Sequence, residues 1–421
     1  MTKSSSFRTG RNKSKSSLAP RVRTETREPL NRKLTAAREA KQDEFYTRFV
    51  DIQKEVEAYL ESDPNTFRGK VVYCNCDDPF ESNFFKYFAA NFNKLGLKRL
   101  LTTSYDGSPI AGAQLKFGEY EAENGDRPKP KAVALSLEEV KSEDGASSAG
   151  IADVRRFLEK NPHTRSALSG GGDFRSPECE DLLKQADIVV TNPPFSLFSE
   201  YVAQLMRHKK KFLIIGNTNA ITYKDVFPHI KADRMWLGCT NFNVGMFFEV
   251  PDSWSKFHHI DPETGKKIAR VSTSCWYTNL DHGRRHKPLS LMTMVDNLKY
   301  SRGLKGKQTY DRYDNYDAIE VATYKEIPLD YDGVMGVPVT FLDKYCPEQF
   351  EIVGTLESSD PDNPYRTKWY SAQDQRDAYF RRFGKSGSIP LNMSGVINDR
   401  KVYKRILIRH RRPSRREGAK K

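Results

Sequence analysis

Nowhere in the 421 residues do about 20 apolar side chains run together, the length a bilayer-crossing helix needs. The opening stretch MTKSSSFRTGRNKSKSS also lacks the apolar segment of a secretory signal. Cysteine is scarce: six residues, Cys74, Cys76, Cys179, Cys239, Cys275 and Cys346, are spread too thinly for a disulfide-stapled secreted domain. Cys74 and Cys76 form a C-x-C, yet no second Cys/His pair stands at zinc-finger spacing, and alternate residues of a strand share a face, so buried thiols are expected and no metal. These absences describe a soluble protein suited to a reducing, cytoplasmic compartment.

Acid is nearly missing from the two ends. Residues 1–35 hold ten Lys or Arg against two Glu, and residues 401–421 hold ten against one Glu. The remainder carries 49 bases and 52 acids, so the net charge of +14 resides in the terminal arms. Runs of one sign at a terminus commonly seek phosphates, through a sequence-independent and salt-sensitive attraction. Such arms also occur as solubilising tails, and charge alone does not separate the two.

After a basic arm (1–37), the periodicity of Phe45, Phe49, Ile52, Val56 and Leu60 predicts a helix over 34–62, stopped by Pro64. GKVVYCNC (69–76), SNFFKYFAANF (82–92) and LKRLLTT (97–103) then read as strand, helix and strand, a right-handed parallel crossover. Residues 104–165 are polar and form an expected insertion at a sheet edge, with one strand at 131–137. The rhythm resumes with a helix at 177–185, strand ADIVVT, helix 196–208 and strand KFLIIG (211–216). VGMFFEV (244–250) and ARVSTSCWYTNL (269–280) are expected to complete the sheet with antiparallel strands. The fold class is therefore α/β with a mixed, mostly parallel sheet over 38–300, followed by a region of different texture over 301–421.

The sharpest signal is Asn192-Pro193-Pro194-Phe195, directly after strand ADIVVT and directly before a helix. The carboxyl edge of a central parallel strand is where open α/β sheets bind ligands. An exocyclic amine on an aromatic base is a poor nucleophile, because its lone pair is drawn into the ring. Two acceptors for its protons, the Asn192 side-chain oxygen and the Pro193 carbonyl, free that pair. Proline fixes its own φ and restrains the preceding residue, so both acceptors stay aimed. Phe195 offers a flat face to an unstacked base, which must be flipped out of a duplex. The same pocket accepts the exocyclic amine of an RNA base or the planar amide of a glutamine side chain, so NPPF alone leaves the substrate open.

Three further segments flank this motif. Where a glycine-rich turn usually follows the first strand of a nucleotide-binding sheet, the chain has Asp77-Asp78-Pro79-Phe80, with no glycine. KQDEFYTR (41–48) offers Phe45, Tyr46 and Thr47, and GDFRS (172–176) offers Asp173 and Phe174, a carboxylate beside a stacking ring.

KQDEFYTR, VVYCNCDDP, GDFRS, TNPPF, CWYTNL (275–280), GVPVTFLDKYCPEQFEIVG (336–354) and YKRILIR (403–409), in this order, resemble the EcoRI-type family of adenine-specific DNA methyltransferases over about residues 38 to 410. The resemblance implies a Rossmann-like methyltransferase sheet, S-adenosylmethionine as methyl donor, and N6-methyladenine at a defined site in double-stranded DNA. It implies that Asn192, Pro193, Pro194 and Phe195 form the catalytic pocket. Phe45, Tyr46, Thr47, Asp77, Asp78 and Pro79 would hold the donor's methionine end, and Asp173 with Phe174 its adenine. For the ribose hydroxyls, LLTTSYD supplies only Asp106, three residues beyond Thr103. Target recognition would follow the catalytic motif, within 301–421, and a cognate restriction nuclease is the expected partner. A DNA-binding relative with an inactive core is the competing reading, prompted by the missing glycine turn.

Overall fold

The computed structural model describes residues 46–76, 82–105, 132–139, 156, 164–250, 254–262, 264–357, 360 and 362–411. Both basic arms, most of the 104–165 insertion, and the candidate residues Phe45, Asp77, Asp78, Pro79 and Asp106 lie outside them.

Eight strands form the central sheet: Val71–Cys74 (β1), Arg99–Thr103 (β2), Val133–Leu137 (β3), Arg165–Ala167 (β4), Ile188–Thr191 (β5), Lys211–Asn217 (β6), Trp236–Leu237 (β7) and Ser274–Thr278 (β8). Their order is β4-β3-β2-β1-β5-β6-β8-β7. The central strands β2, β1, β5 and β6 are mutually parallel. Only β3 and β8 run against the rest. All four residues of β1 and all four of β5 are buried, as the continuous apolar runs of strands covered on both faces require.

The alternation of side chains divides the interior in two. Tyr73, Val189 and Ile214 face one core, shared with Leu183 of helix α3 (Pro177–Gln185) and Tyr201 and Leu205 of helix α4 (Phe198–Arg207). Val72, Val190 and Leu213 face the other, with Ile52 and Val56 of α1 (Phe49–Ser62) and Phe84 and Phe88 of α2 (Asn83–Ala90). The result is a helix-sheet-helix sandwich. Side-chain caps open two of its helices: Ser82 Oγ accepts from Phe84 N at 3.1 Å, and Ser176 Oγ from Cys179 N at 3.3 Å with Pro177 at the first helical position. The Glu55 carboxylate on α1 accepts from the Cys239 and Thr240 amides at 2.7 and 2.8 Å and so fastens the turn beyond β7.

Two expectations are corrected. Among the described residues the expected helix over 34–62 begins at Phe49, because Tyr46–Thr47 is extended and pairs with Phe248 and Glu249, while its 34–45 part lies outside them. VGMFFEV does not extend the central sheet: Met246–Val250 belongs to a separate antiparallel sheet with Tyr46–Thr47, Lys267–Val271 and His259–Ile260. ARVSTSCWYTNL accordingly breaks into two strands, of which only Ser274–Thr278 joins the main sheet.

Beyond residue 300, Ile319–Glu320 (β9), Met335–Pro338 (β10), Phe350–Thr355 (β11) and Arg405–His410 (β12) form a second sheet in the order β9-β10-β12-β11. Its Met335, Val337, Ile352 and Ile406 share one apolar cluster with Tyr73 and Tyr201. No helix among the described residues is long and apolar enough to cross a membrane.

Candidate active site at the ends of the parallel strands

The chain enters the sheet at β1, moves to β2 on one side, and later returns to β5 on the other. Connections leaving β1 and β5 therefore diverge, and the crevice between their carboxyl ends is the position where such sheets take ligands. The two ends are tied together: the Thr191 hydroxyl donates to the backbone carbonyl of Asn75. Asn75 is fully buried. Its Oδ1 accepts from Thr103 Oγ1 at 3.3 Å, and Thr103 in turn lies 3.2 Å from the Tyr73 hydroxyl, so a polar chain spans β2, β1 and β5. The amide nitrogen of Asn75 is buried with no hydrogen-bond partner among the described residues.

Cys76 follows with φ of 66°, a left-handed backbone that L side chains rarely adopt. The turn that glycine usually makes is thus made here by cysteine. None of the six cysteines forms a disulfide. Among the described residues no group of His, Cys, Asp and Glu is arranged to hold a metal.

Thr47 is brought to the same neighbourhood by Asn83, at the start of α2, whose Nδ2 donates to the Thr47 carbonyl at 2.8 Å. The Thr47 hydroxyl is buried and has no partner among the described residues. Tyr46, beside it, is half-buried.

The Gly170–Gly172 turn passes directly over the end of β2. Gly172 has φ of 74°, and a β-carbon there would collide with the Ser104 carbonyl. This approach sets Asp173 beside the strand ends. Its carboxylate is held by Arg175, with Nε to Oδ1 at 3.0 Å, Nη2 to Oδ2 at 2.9 Å and the Arg175 amide to Oδ1 at 3.0 Å. Arg175 Nε also reaches Oδ2 at 3.3 Å, so all of the roughly four hydrogen bonds that a carboxylate accepts come from Arg175. Phe174 points elsewhere: it is only 3 % exposed and meets Tyr201 edge-on at 5.0 Å, as part of the core.

Asn192, Pro193, Pro194 and Phe195 leave β5 at the crevice. Oδ1 of Asn192 is buried, and so is the next residue, Pro193. The Pro194 carbonyl accepts from Leu197 N at 3.0 Å and opens a 3-10 turn, Phe195–Leu197, that runs into α4. Phe195 is half-buried against the core formed with α1 and α2. Thus Thr47, Asp173 and Asn192 stand on three connections around one sheet edge, while Phe174 is withdrawn from it. The partners that sequence reasoning did not name are Asn75, Asn83, Thr103, Arg175 and Thr191. Asn75, Arg175 and Thr191 lie within the motifs VVYCNCDDP, GDFRS and TNPPF, and Asn83 and Thr103 stand three residues from Phe80 and Asp106, so position was their only signal.

A separate cavity of about 650 Å³ is lined by Glu61, Ser62, Arg284, Lys287, Asp343 and Lys344 among others, and shares no residue with these strand ends.

The profile described as adenine-specific methyltransferase EcoRI matches residues 33–411. The Type II methyltransferase M.EcoRI of Escherichia coli is 44% identical over 336 residues, covering 78% of this chain and 90% of that protein. The Type II methyltransferase M.MpnI of Mycoplasma pneumoniae is 37% identical over 339 residues, covering 79% and 86%. M.MgeORF184P of Mycoplasma genitalium, also a Type II methyltransferase, is 33% identical over 379 residues, covering 89% and 97%. No solved structure matches the chain.

Proposed function

We infer the function from one premise: this chain belongs to the adenine-specific methyltransferase EcoRI family, and it is a site-specific adenine DNA methyltransferase. The observation that carries the assignment of the site is the placement of Asn192-Pro193-Pro194-Phe195 directly after β5, at the carboxyl edge of the sheet beside β1.

The methyl donor is S-adenosylmethionine, bound across the carboxyl ends of β1 and β2 on a Rossmann-like sheet. Two features of the chain fit it. Thr47 Oγ1 and Asn75 Nδ2 are buried polar atoms with no partner among the described residues, and a ligand supplying an acceptor and a donor relieves a cost of about 1–3 kcal/mol each. Asp173 Oδ2 accepts the adenine amine in place of its longest contact, Arg175 Nε at 3.3 Å. Phe45, Tyr46, Asp77, Asp78 and Pro79 hold the methionine end, and Asp106 the ribose. Phe174 backs the site from the core, behind Asp173, and does not stack on the adenine.

When bound, the donor supplies an electrophilic methyl group on a sulfonium. The chain supplies geometry and two acceptors. Asn192 Oδ1 and the Pro193 carbonyl accept the two N6 protons of an everted adenine, which returns the nitrogen lone pair to attack. Phe195 lies under the base. Eversion costs a few kcal/mol, and positioning with paired acceptors offsets it. The target-recognition region spans 301–421, the catalytic domain 38–300, and a restriction nuclease of the same site is the proposed partner.

Asn192→Ala tests the assignment. Methyl transfer into duplex DNA should fall by at least about a hundredfold, the order seen when one preorganised hydrogen-bonding group is removed. Calorimetric affinity for S-adenosylmethionine should change less than about threefold. Near-normal turnover by the variant would remove Asn192 from the mechanism.

A further inference from the structure

Residues 366–411 hold twelve Lys or Arg against three Asp. Within them a small unit has its own core of Tyr370, Ala378, Ile389, Leu391 and Val396. Its helix α5 (Ala372–Phe383) starts at a reciprocal Ser371–Asp374 cap and stops at Gly384, with φ of 67°. Ala378 alone is buried in α5, and Phe380 remains 61 % exposed. Among the described residues little packs on this helix, and most of its surface is polar and exposed.

Beside α5 stands a hairpin, Val396–Ile397 with Arg400–Lys401, closed by Asn398 and Asp399. Both turn residues have positive φ, 50° and 59°, as a two-residue turn matched to strand twist requires. Arg381 of α5 grips the Asp399 carboxylate at 2.8–2.9 Å, so helix and tip are braced together. That leaves Asn398 and Arg400 exposed at the tip. Among the described residues, Arg400, Lys401 and Lys385 make no ion pair.

The unit also faces the reaction. Lys404, just past the hairpin, donates to Thr222 Oγ1 at 2.9 Å. Thr222 ends the turn Thr218–Thr222 that directly follows β6, at the sheet edge where β5 delivers Asn192.

We propose that this braced hairpin enters the major groove of the target duplex, where Asn398 and Arg400 read base edges while Lys385 and Lys401 hold phosphates. The proposal rests on the reading of the chain as a DNA methyltransferase and names the residues that choose its site. A two-stranded ribbon fits the major groove, and Asn and Arg are the side chains that bond adenine and guanine there in pairs. The neighbouring cations match the phosphate backbone. An acidic protein surface would answer the charge but leave the rigid, bidentate-capable tip without a use.

The test compares full-length wild type, Asn398→Gly, Arg400→Ala and Lys385→Ala/Lys401→Ala. Glycine keeps the positive φ at 398. Initial rates of labelled methyl transfer are measured on duplexes bearing the modified site and on duplexes one base pair away from it. Asn398→Gly and Arg400→Ala should each reduce the ratio of these rates by about tenfold or more, with donor affinity unchanged. The double lysine variant should weaken binding to all duplexes alike and flatten its salt dependence. If both tip variants keep the wild-type ratio, the proposal is overturned while the enzyme assignment stands. Absence of transfer by the wild type would instead overturn the assignment itself. Should thermal melting show that Arg400→Ala is unfolded, Asn398→Gly and the protection of Lys401 from acetylation by bound duplex decide, and equal labelling with and without DNA counts against the proposal.

Discussion

The hydroxyl of Thr191 donates to the backbone carbonyl of Asn75, joining the two strands that flank the crevice at the point where their ladder has ended. The last ladder partners are Tyr73 and Val189, so beyond them this side-chain bond, rather than the sheet, fixes how far apart Asn75 and Asn192 stand. Thr191→Val keeps the shape and deletes the donor. A buried carbonyl is then left unsatisfied, at a cost of about 1–3 kcal/mol. Urea unfolding should show that loss, together with a lower kcat/KM on DNA. A variant as stable and as active as wild type would show that the crevice is held by other means.

Gly172 is the tightest point of the donor side. Alanine there must carry φ of 74° and push against the Ser104 carbonyl, which belongs to the backbone and cannot swing aside. Left-handed strain and overpacking together cost about 2–6 kcal/mol. The expected relief is displacement of the 170–173 turn, which carries Asp173 with it. Gly172→Ala should therefore lose affinity for S-adenosylmethionine, read by calorimetry, more than it loses affinity for DNA.

The parallel core and the motif on it were legible because both are written in contiguous sequence. VVYC, IVVT and KFLIIG are uninterrupted apolar runs, and NPPF follows one of them without a gap. What escaped was written between distant segments. Met246–Val250 shows a strand's alternation, yet its partner is Tyr46–Thr47, about 200 residues earlier, and periodicity does not name partners. Phe174 sits next to an acid as a stacking ring would, but the same apolar ring satisfies the core against Tyr201, and only packing decides between them. Glycine was sought after β1, where Cys76 bears the left-handed turn instead.

His286 sits between two carboxylates, Nε2 at 2.9 Å from Asp281 and Nδ1 at 2.7 Å from Glu348, and so joins the loop after β8 to the start of β11. Its hydrogen bond to Asp281 raises the pKa of the imidazole above its ordinary 6.5, burial opposes this, and Glu348 adds to the rise. A raised folded-state pKa means that the contribution is complete below about 6.5 and is lost as pH rises through the higher, folded value. The urea midpoint of the wild type should accordingly decline as pH rises above about 6.5. His286→Gln should show a flatter profile over that range. Parallel profiles for the two proteins would mean that the pair is open to solvent and contributes nothing measurable.

The basic arm at residues 1–35 carries a net charge of +8, from ten Lys or Arg and two Glu. If its cations meet phosphates, each contact releases condensed counterions, and the logarithm of the binding constant falls with the logarithm of salt by about 0.9 per contact. Removing residues 1–35 should therefore weaken DNA binding most at low salt and flatten that slope by several such increments. Because the arm precedes every motif of the site, kcat at saturating DNA should be retained, so the loss appears in KM alone. Fluorescence anisotropy on one duplex across a salt series separates the outcomes. A truncated chain with the wild-type slope would assign the arm to solubility instead, and would leave the charge of residues 366–411 to account for the salt dependence.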